Sequence, residues 1–162
     1  MTGCEAIRAA LEATKANLPM YVGDFSDADL LVRPVPAANH AAWQIGNVIG
    51  GDIYFIASDL PDTAYPELPP GFIDLHGSKG ATKDEGFLTK AEYLALFDKV
   101  RGATIAALGK LTDADLDRPA TGPGKAFAPT LGMLFIMTSN HTLMHAGQFT
   151  VIRRKLGKPV LF

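Results

Sequence analysis

The chain has 162 residues, 48% of them hydrophobic and 20% charged, enough to bury a core as one domain spanning 1–162. Its formal charge of −2, with Lys and Arg scattered, offers no basic stripe for a phosphate backbone, so neither nucleic acid nor an anionic membrane is an expected partner. Cys4 is the single cysteine, which excludes an internal disulfide and a thiolate cluster. With no apolar run of roughly 18 residues and no leader-like start, a cytoplasmic location is expected.

From Gly3 to about Val22, Ile7, Ala10, Leu11, Leu18 and Tyr21 recur at spacings of three and four, which predicts an amphipathic helix that Pro19 kinks or ends. Ser26 to Leu30 reads as a short capped turn, and Arg33-Pro34-Val35-Pro36 as a linker. A second helix begins near Asn39 or His40 and runs to about Ala57. Its apolar residues nearly surround the axis, which predicts a buried, central element. Gly46, Gly50 and Gly51 each cost this helix about 1 kcal/mol relative to Ala, which points to close packing or to room for a ligand.

Residues 59–86 are rich in Pro, Gly, Asp and Lys and read as a structureless long connection between the second and third helices. Thr89 and Glu92 form a capping box that opens a third helix, Lys90 to about Leu108, with Leu94, Phe97, Arg101, Ile105 and Leu108 on one face. Thr112-Asp113-Ala114-Asp115 echoes Ser26-Asp27-Ala28-Asp29 as a second capped turn. The last helix follows Pro129, placed in its first turn, and ends at Gly157. Leu134, Thr138, His141, His145, Gln148 and Ile152 share one face. Four long helices without a convincing strand predict an all-α four-helix bundle.

His141 and His145, one helical turn apart, can offer two nitrogen ligands to Zn, Ni, Fe or Mn. From the spacing alone two buried, hydrogen-bonded histidines are the favoured reading, and a third ligand from another helix is needed for a metal site. The stretch Asn39 to Asp52, together with His141-Thr142-Leu143-Met144-His145-Ala146-Gly147-Gln148 and Arg153 to Pro159, resembles the DinB-like superfamily over essentially the whole chain. That resemblance implies an up-down-down-up bundle, usually dimeric, and a divalent metal on three histidines. One comes from the second helix and two, matched by His141 and His145, from the fourth. It also implies thiol chemistry, with a low-molecular-weight thiol or another small molecule as substrate and a thiol-transferase or hydrolase-like activity.

The first metal position departs from the family pattern: Trp43-Gln44-Ile45-Gly46-Asn47 carries Asn where relatives carry His. An amide oxygen is a poorer donor than imidazole to Zn or Ni. The expectation is therefore a degenerate His141–His145–Asn47 site. The alternative is a non-catalytic binding or dimeric interaction protein that has lost its metal and keeps its histidines as hydrogen-bonding groups.

Around this position, Asp52 is a candidate supporting group or base, with an interhelical ion pair, for instance to Arg101, as the more ordinary role. Gln148 and Thr138 are expected to face the pocket, and Trp43 and Tyr54 to flank Asn47 as core aromatics. His40 reads as a cap, lying about 10 Å along the helix from Asn47. His76 can reach over the pocket from its loop, but an ordinary solvated histidine is favoured. Cys4 has no neighbour that would activate it, and Ser139 diverges from His141 by about 200° on the helix, so neither supplies a nucleophile.

Overall fold

Each long helix begins where a side chain satisfies its free N–H groups. A computed structural model describes residues 1–161. Helix α1 (Gly3–Val22) opens on a Thr2–Glu5 capping box, α2 (Ala41–Ile56) on His40, α4 (Lys90–Leu108) on a Thr89–Glu92 capping box, and α5 (Leu131–Lys155) on Thr130. A one-turn helix, α3 (Phe72–Leu75), lies between α2 and α4. The described residues contain no strand, only an isolated bridge between Pro119 and Thr130, so the fold is all-helical. None of their helices is long and apolar enough to cross a membrane.

The two echoing turns do more than end their helices. Ser26 and Asp29 bond each other reciprocally, as do Thr112 and Asp115. Asp27 accepts the backbone N–H of Lys90 at 2.7 Å, at the start of α4. Asp113 accepts those of Gly3 and Cys4 at 3.1 and 2.9 Å, at the start of α1. Each turn thus supplies a carboxylate to the positive end of another helix, where it stabilises most.

Helices α1 and α2 each pack against both α4 and α5. One core cluster joins Leu18, Ile45, Val48, Ile49, Phe97 and Phe149, and a second joins Ile7, Leu11, Ile56, Leu108, Leu134 and Phe135. Pro19 does not end α1, because fully buried Leu18 and Val22 hold its last turn in the core. Pro129 lies outside α5, whose cap is Thr130. At the far end Gly157 adopts φ +67°, and Lys158 N–H reaches back to the Arg153 carbonyl at 2.9 Å, a left-handed stop that only glycine takes without strain.

The connection 59–86 is not structureless. It contains α3 and a 3-10 turn at Ser78–Gly80, and it puts Phe72 and His76 into the interior at 3% exposure each. The breakers around Pro69, Pro70 and Gly71 only set its corners; buried Phe72 anchors it.

Candidate metal centre

Helices α2 and α5 pack side by side, and this brings Asn47 opposite His141 and His145. Asn47 Oδ1 lies 3.1 Å from His141 Nε2 and 3.2 Å from His145 Nε2, and the two Nε2 atoms are 3.2 Å apart. Three donor atoms therefore form a nearly equilateral triangle. Ligands about 2.1 Å from one cation sit about 3.0 Å apart in octahedral and about 3.4 Å apart in tetrahedral geometry, so the observed edges fit a shared cation. Among the described residues no group of three His, Cys, Asp or Glu side chains converges, because the third vertex is an amide.

Neighbours fix which atom of each side chain faces the triangle. Gln44 donates through Nε2 to the Asn39 carbonyl at 2.7 Å, which turns its Oε1 towards His145 Nδ1 at 3.1 Å. His145 therefore carries its proton on Nδ1 and presents a bare Nε2. Burial, and then the adjacent His141, lower its pKa to about 3, so it is neutral at physiological pH. Asn47 donates through Nδ2 to the His76 carbonyl at 2.8 Å, which leaves Oδ1 as the inward atom.

A proton count then exposes a deficit. His145 Nε2 and Asn47 Oδ1 both face inward as acceptors, and His141, whose pKa is lowered by burial, supplies at most one proton to them. If that proton is on Nε2, His141 Nδ1 is a bare lone pair; if it is on Nδ1, three lone pairs meet in the triangle. In either case His141 Nδ1 is buried without a hydrogen-bond partner, the one such side-chain atom among the described residues. Buried polar groups are normally satisfied, so the lone pairs that meet in the triangle are compatible with a shared cation. The unpartnered Nδ1 lies on the other edge of the His141 ring, beside Gly51.

The segment after α3 holds Asn47 in place. Trp43 and Asn47, one turn apart on α2, donate to two successive carbonyls, Trp43 Nε1 to Gly77 at 3.1 Å and Asn47 Nδ2 to His76. The His76 ring is itself locked, with Nδ1 against the Phe72 carbonyl at 2.7 Å and Nε2 against Tyr93 OH at 2.6 Å. His76 is thus the opposite of a solvated histidine: burial lowers its pKa to about 4. Gly46 makes this possible, since a Cβ there would lie 1.9 Å from the His76 ring; one at Gly51 would lie 2.6 Å from His141 Nδ1.

The remaining candidates separate clearly. Tyr54, with Phe55, lines a cavity of about 450 Å³ that opens beside Asn47 and His141. Thr138 is buried one turn before Thr142, its hydroxyl donating to the Leu134 carbonyl, and it does not line that cavity. Asp52 is buried in a two-bond ion pair with Arg101, at 2.6 and 2.8 Å. Gln148 does not face the histidines and is exposed: the buried seam of α5 runs through Thr142, His145, Phe149 and Ile152, leaving position 148 on the outer side. His40 caps α2 by accepting the Trp43 N–H on Nδ1 at 3.1 Å. Sequence reasoning missed His76 as an orienting group; the glycine at position 46 was its only trace.

No curated protein matches the chain. A solved structure of a conserved protein from Enterococcus faecalis is similar in fold, with a TM-score of 0.74 over 98% of this chain and 99% of that one at 15% identity. The family model described as the DinB superfamily matches residues 10–149, most of the sequence. The chain belongs to the DinB superfamily.

Proposed function

We propose that the protein binds a divalent cation through Asn47, His141 and His145, within an up-down-down-up four-helix bundle whose long connection runs from α2 to α4. The observation that carries this reading is the triangle of donor atoms with edges of 3.1–3.2 Å, in which three acceptor atoms share at most one proton. Zn, Ni, Fe and Mn all suit a set of two imidazoles and one amide oxygen. When bound, such an ion stabilises a thiolate or a hydroxide at neutral pH, the chemistry of a thiol-transferase or hydrolase-like enzyme. Gln44 keeps the His145 lone pair pointing inward, the His76 carbonyl does the same for the Asn47 oxygen, and His141 lines the cavity in which a substrate would lie. A cytoplasmic homodimer is the proposed setting.

Metal analysis of tag-free protein incubated with Zn, Ni and Mn tests the proposal. It predicts one ion per chain, lost in His145→Ala, and a melting temperature raised by metal in the native chain alone. Absence of stoichiometric metal, with the same melting response in both proteins, would sink it. That outcome would instead favour a non-catalytic binding or dimeric interaction protein whose histidines serve only as hydrogen-bonding groups.

A further inference from the structure

The hydrogen-bonded polar side chains of the cavity beside the triangle gather at one end. Asn47, His141 and the His76–Gly77 turn lie at that end and are tied together by hydrogen bonds. The rest of the wall includes Ile53, Tyr54, Phe55, Ile73 and Phe127, with the Tyr54 hydroxyl as its polar side-chain group, and among the described residues no Lys, Arg, Asp or Glu side chain lines it. Tyr54, Ile73 and Phe127 are 47%, 56% and 58% exposed, so two apolar side chains and one phenol ring stand open to water around one cavity. A volume of about 450 Å³ lies within the ordinary range for small-molecule sites.

Gly50 gives the second, independent indication. Gly46 and Gly51 are required by the packing of His76 and His141, but a Cβ at Gly50 would meet only the flexible end of Ile73, at 3.3 Å. A glycine inside a helix is unfavourable by about 1 kcal/mol relative to Ala, and packing does not call for this one. Gly50 lines the cavity, and a larger side chain there would press on Ile73 and take up cavity space.

We infer that this cavity takes an uncharged, largely apolar small molecule, with a single polar group directed at the Asn47–His141 end. The inference deepens the metal-centre reading and rests on it for the role of that polar end. A ligand carrying a carboxylate, sulfonate or phosphate on its body would lose its hydration and find no counter-charge on the wall. The site therefore selects against charged molecules as well as for apolar ones.

A matched pair of fluorescent probes tests this. N-phenyl-1-naphthylamine is uncharged, and 1-anilinonaphthalene-8-sulfonate adds an anion to the same rings. The uncharged probe is expected to bind at least about tenfold more tightly in chelator-treated protein. Gly50→Leu fills the floor and should weaken it by a similar factor, while Zn stoichiometry stays unchanged. Ile73→Asp, at an exposed rim position that does not challenge folding, should weaken it as well. Equal binding of the two probes, or indifference of the uncharged probe to both substitutions, would overturn the inference. Zn uptake is measured separately, so loss of the metal reading alone would appear as Gly50-dependent probe binding without bound Zn.

Discussion

Two buried polar clusters sit on the same helices and are built in opposite ways. Around Arg101 every N–H has a partner: Nε and Nη2 clamp Asp52, Nη1 reaches Thr14 Oγ1 at 2.6 Å and the Leu11 carbonyl, and Nη2 also reaches Thr142 Oγ1 at 2.7 Å. Thr104 donates to Asp52 and bonds Tyr65 OH, so side chains of α1, α2, α4 and α5 are tied at one point. On either side of Thr142 along α5, His141 and His145 join Asn47 of α2 in a cluster whose three inward acceptors share at most one proton, and His141 Nδ1 is left without a partner. The closed cluster ties four helices together, and the open one is where the proposed cation would bind. Thr142, between the two histidines in sequence, belongs to the closed cluster and so ties the pitch of α5 to the geometry of the open one.

Breaking the closed cluster should have the largest effect. Arg101→Met strands the Asp52 carboxylate in the core and is expected to cost about 3–5 kcal/mol in urea unfolding. Adding Asp52→Leu should recover most of that loss, because two apolar residues then replace an ion pair. If the double variant were no more stable than the single one, the cluster would not act as a closed unit.

In the open cluster the substitution to make is at Asn47. Asn47→Ala removes a vertex and leaves the His76 carbonyl without its donor, so it should abolish stoichiometric Zn binding and destabilise the fold by about 1–3 kcal/mol. Asn47→His should tighten Zn by about tenfold or more, since imidazole is the better ligand and its second nitrogen can still donate to the same carbonyl. Failure of Asn47→His to bind Zn would mean that the three positions do not converge on one ion.

In metal-free protein the buried histidines give a pH signature, to which His141 and His145 add because burial lowers their pKa values too. His76 and His40 are held neutral by burial, which lowers both pKa values, that of His76 to about 4. The unfolded chain takes up protons near pH 6.5, before the folded one does, so their contribution is complete above that pH. That of His76 is lost as pH falls towards 4, by up to about 1.4 kcal/mol per pH unit, and His40 loses its share in the same direction. Asp24, Asp29 and Asp59, whose pKa values are lowered, keep their full contribution above the ordinary carboxylate pKa and lose it as pH falls from there. Unfolding free energies that stay flat between pH 7 and 5 would contradict the burial of these rings.

Smaller effects should follow from the supports. Trp43→Phe removes the donor to the Gly77 carbonyl and should loosen the segment that aims Asn47, lowering Zn affinity by about tenfold with little change in melting temperature. Gln148→Ala, on the exposed side of α5, should change stability by less than about 0.5 kcal/mol and leave metal binding as it was.

What the sequence made legible follows from these geometries. Helix starts were readable because Thr89–Glu92 and His40 act locally, and the histidine pair because its spacing matches a helical turn. The glycines of α2 also signalled close packing or ligand room, and Gly46, Gly51 and Gly50 divide between those roles. His76 was not legible: its burial depends on Phe72, Tyr93 and Gly46 meeting across three elements, and nothing near position 76 encodes that. Gln148 was misplaced because a heptad step from His141 looks aligned in projection, whereas the buried seam runs through His145 and Phe149.

The central claim is that Asn47, His141 and His145 hold one cation, and anomalous scattering from crystals soaked in Zn addresses it most directly. A single strong peak about 2.0–2.2 Å from Asn47 Oδ1, His141 Nε2 and His145 Nε2 is the predicted result. A map with no peak inside that triangle, or with Zn only on surface carboxylates, would contradict it.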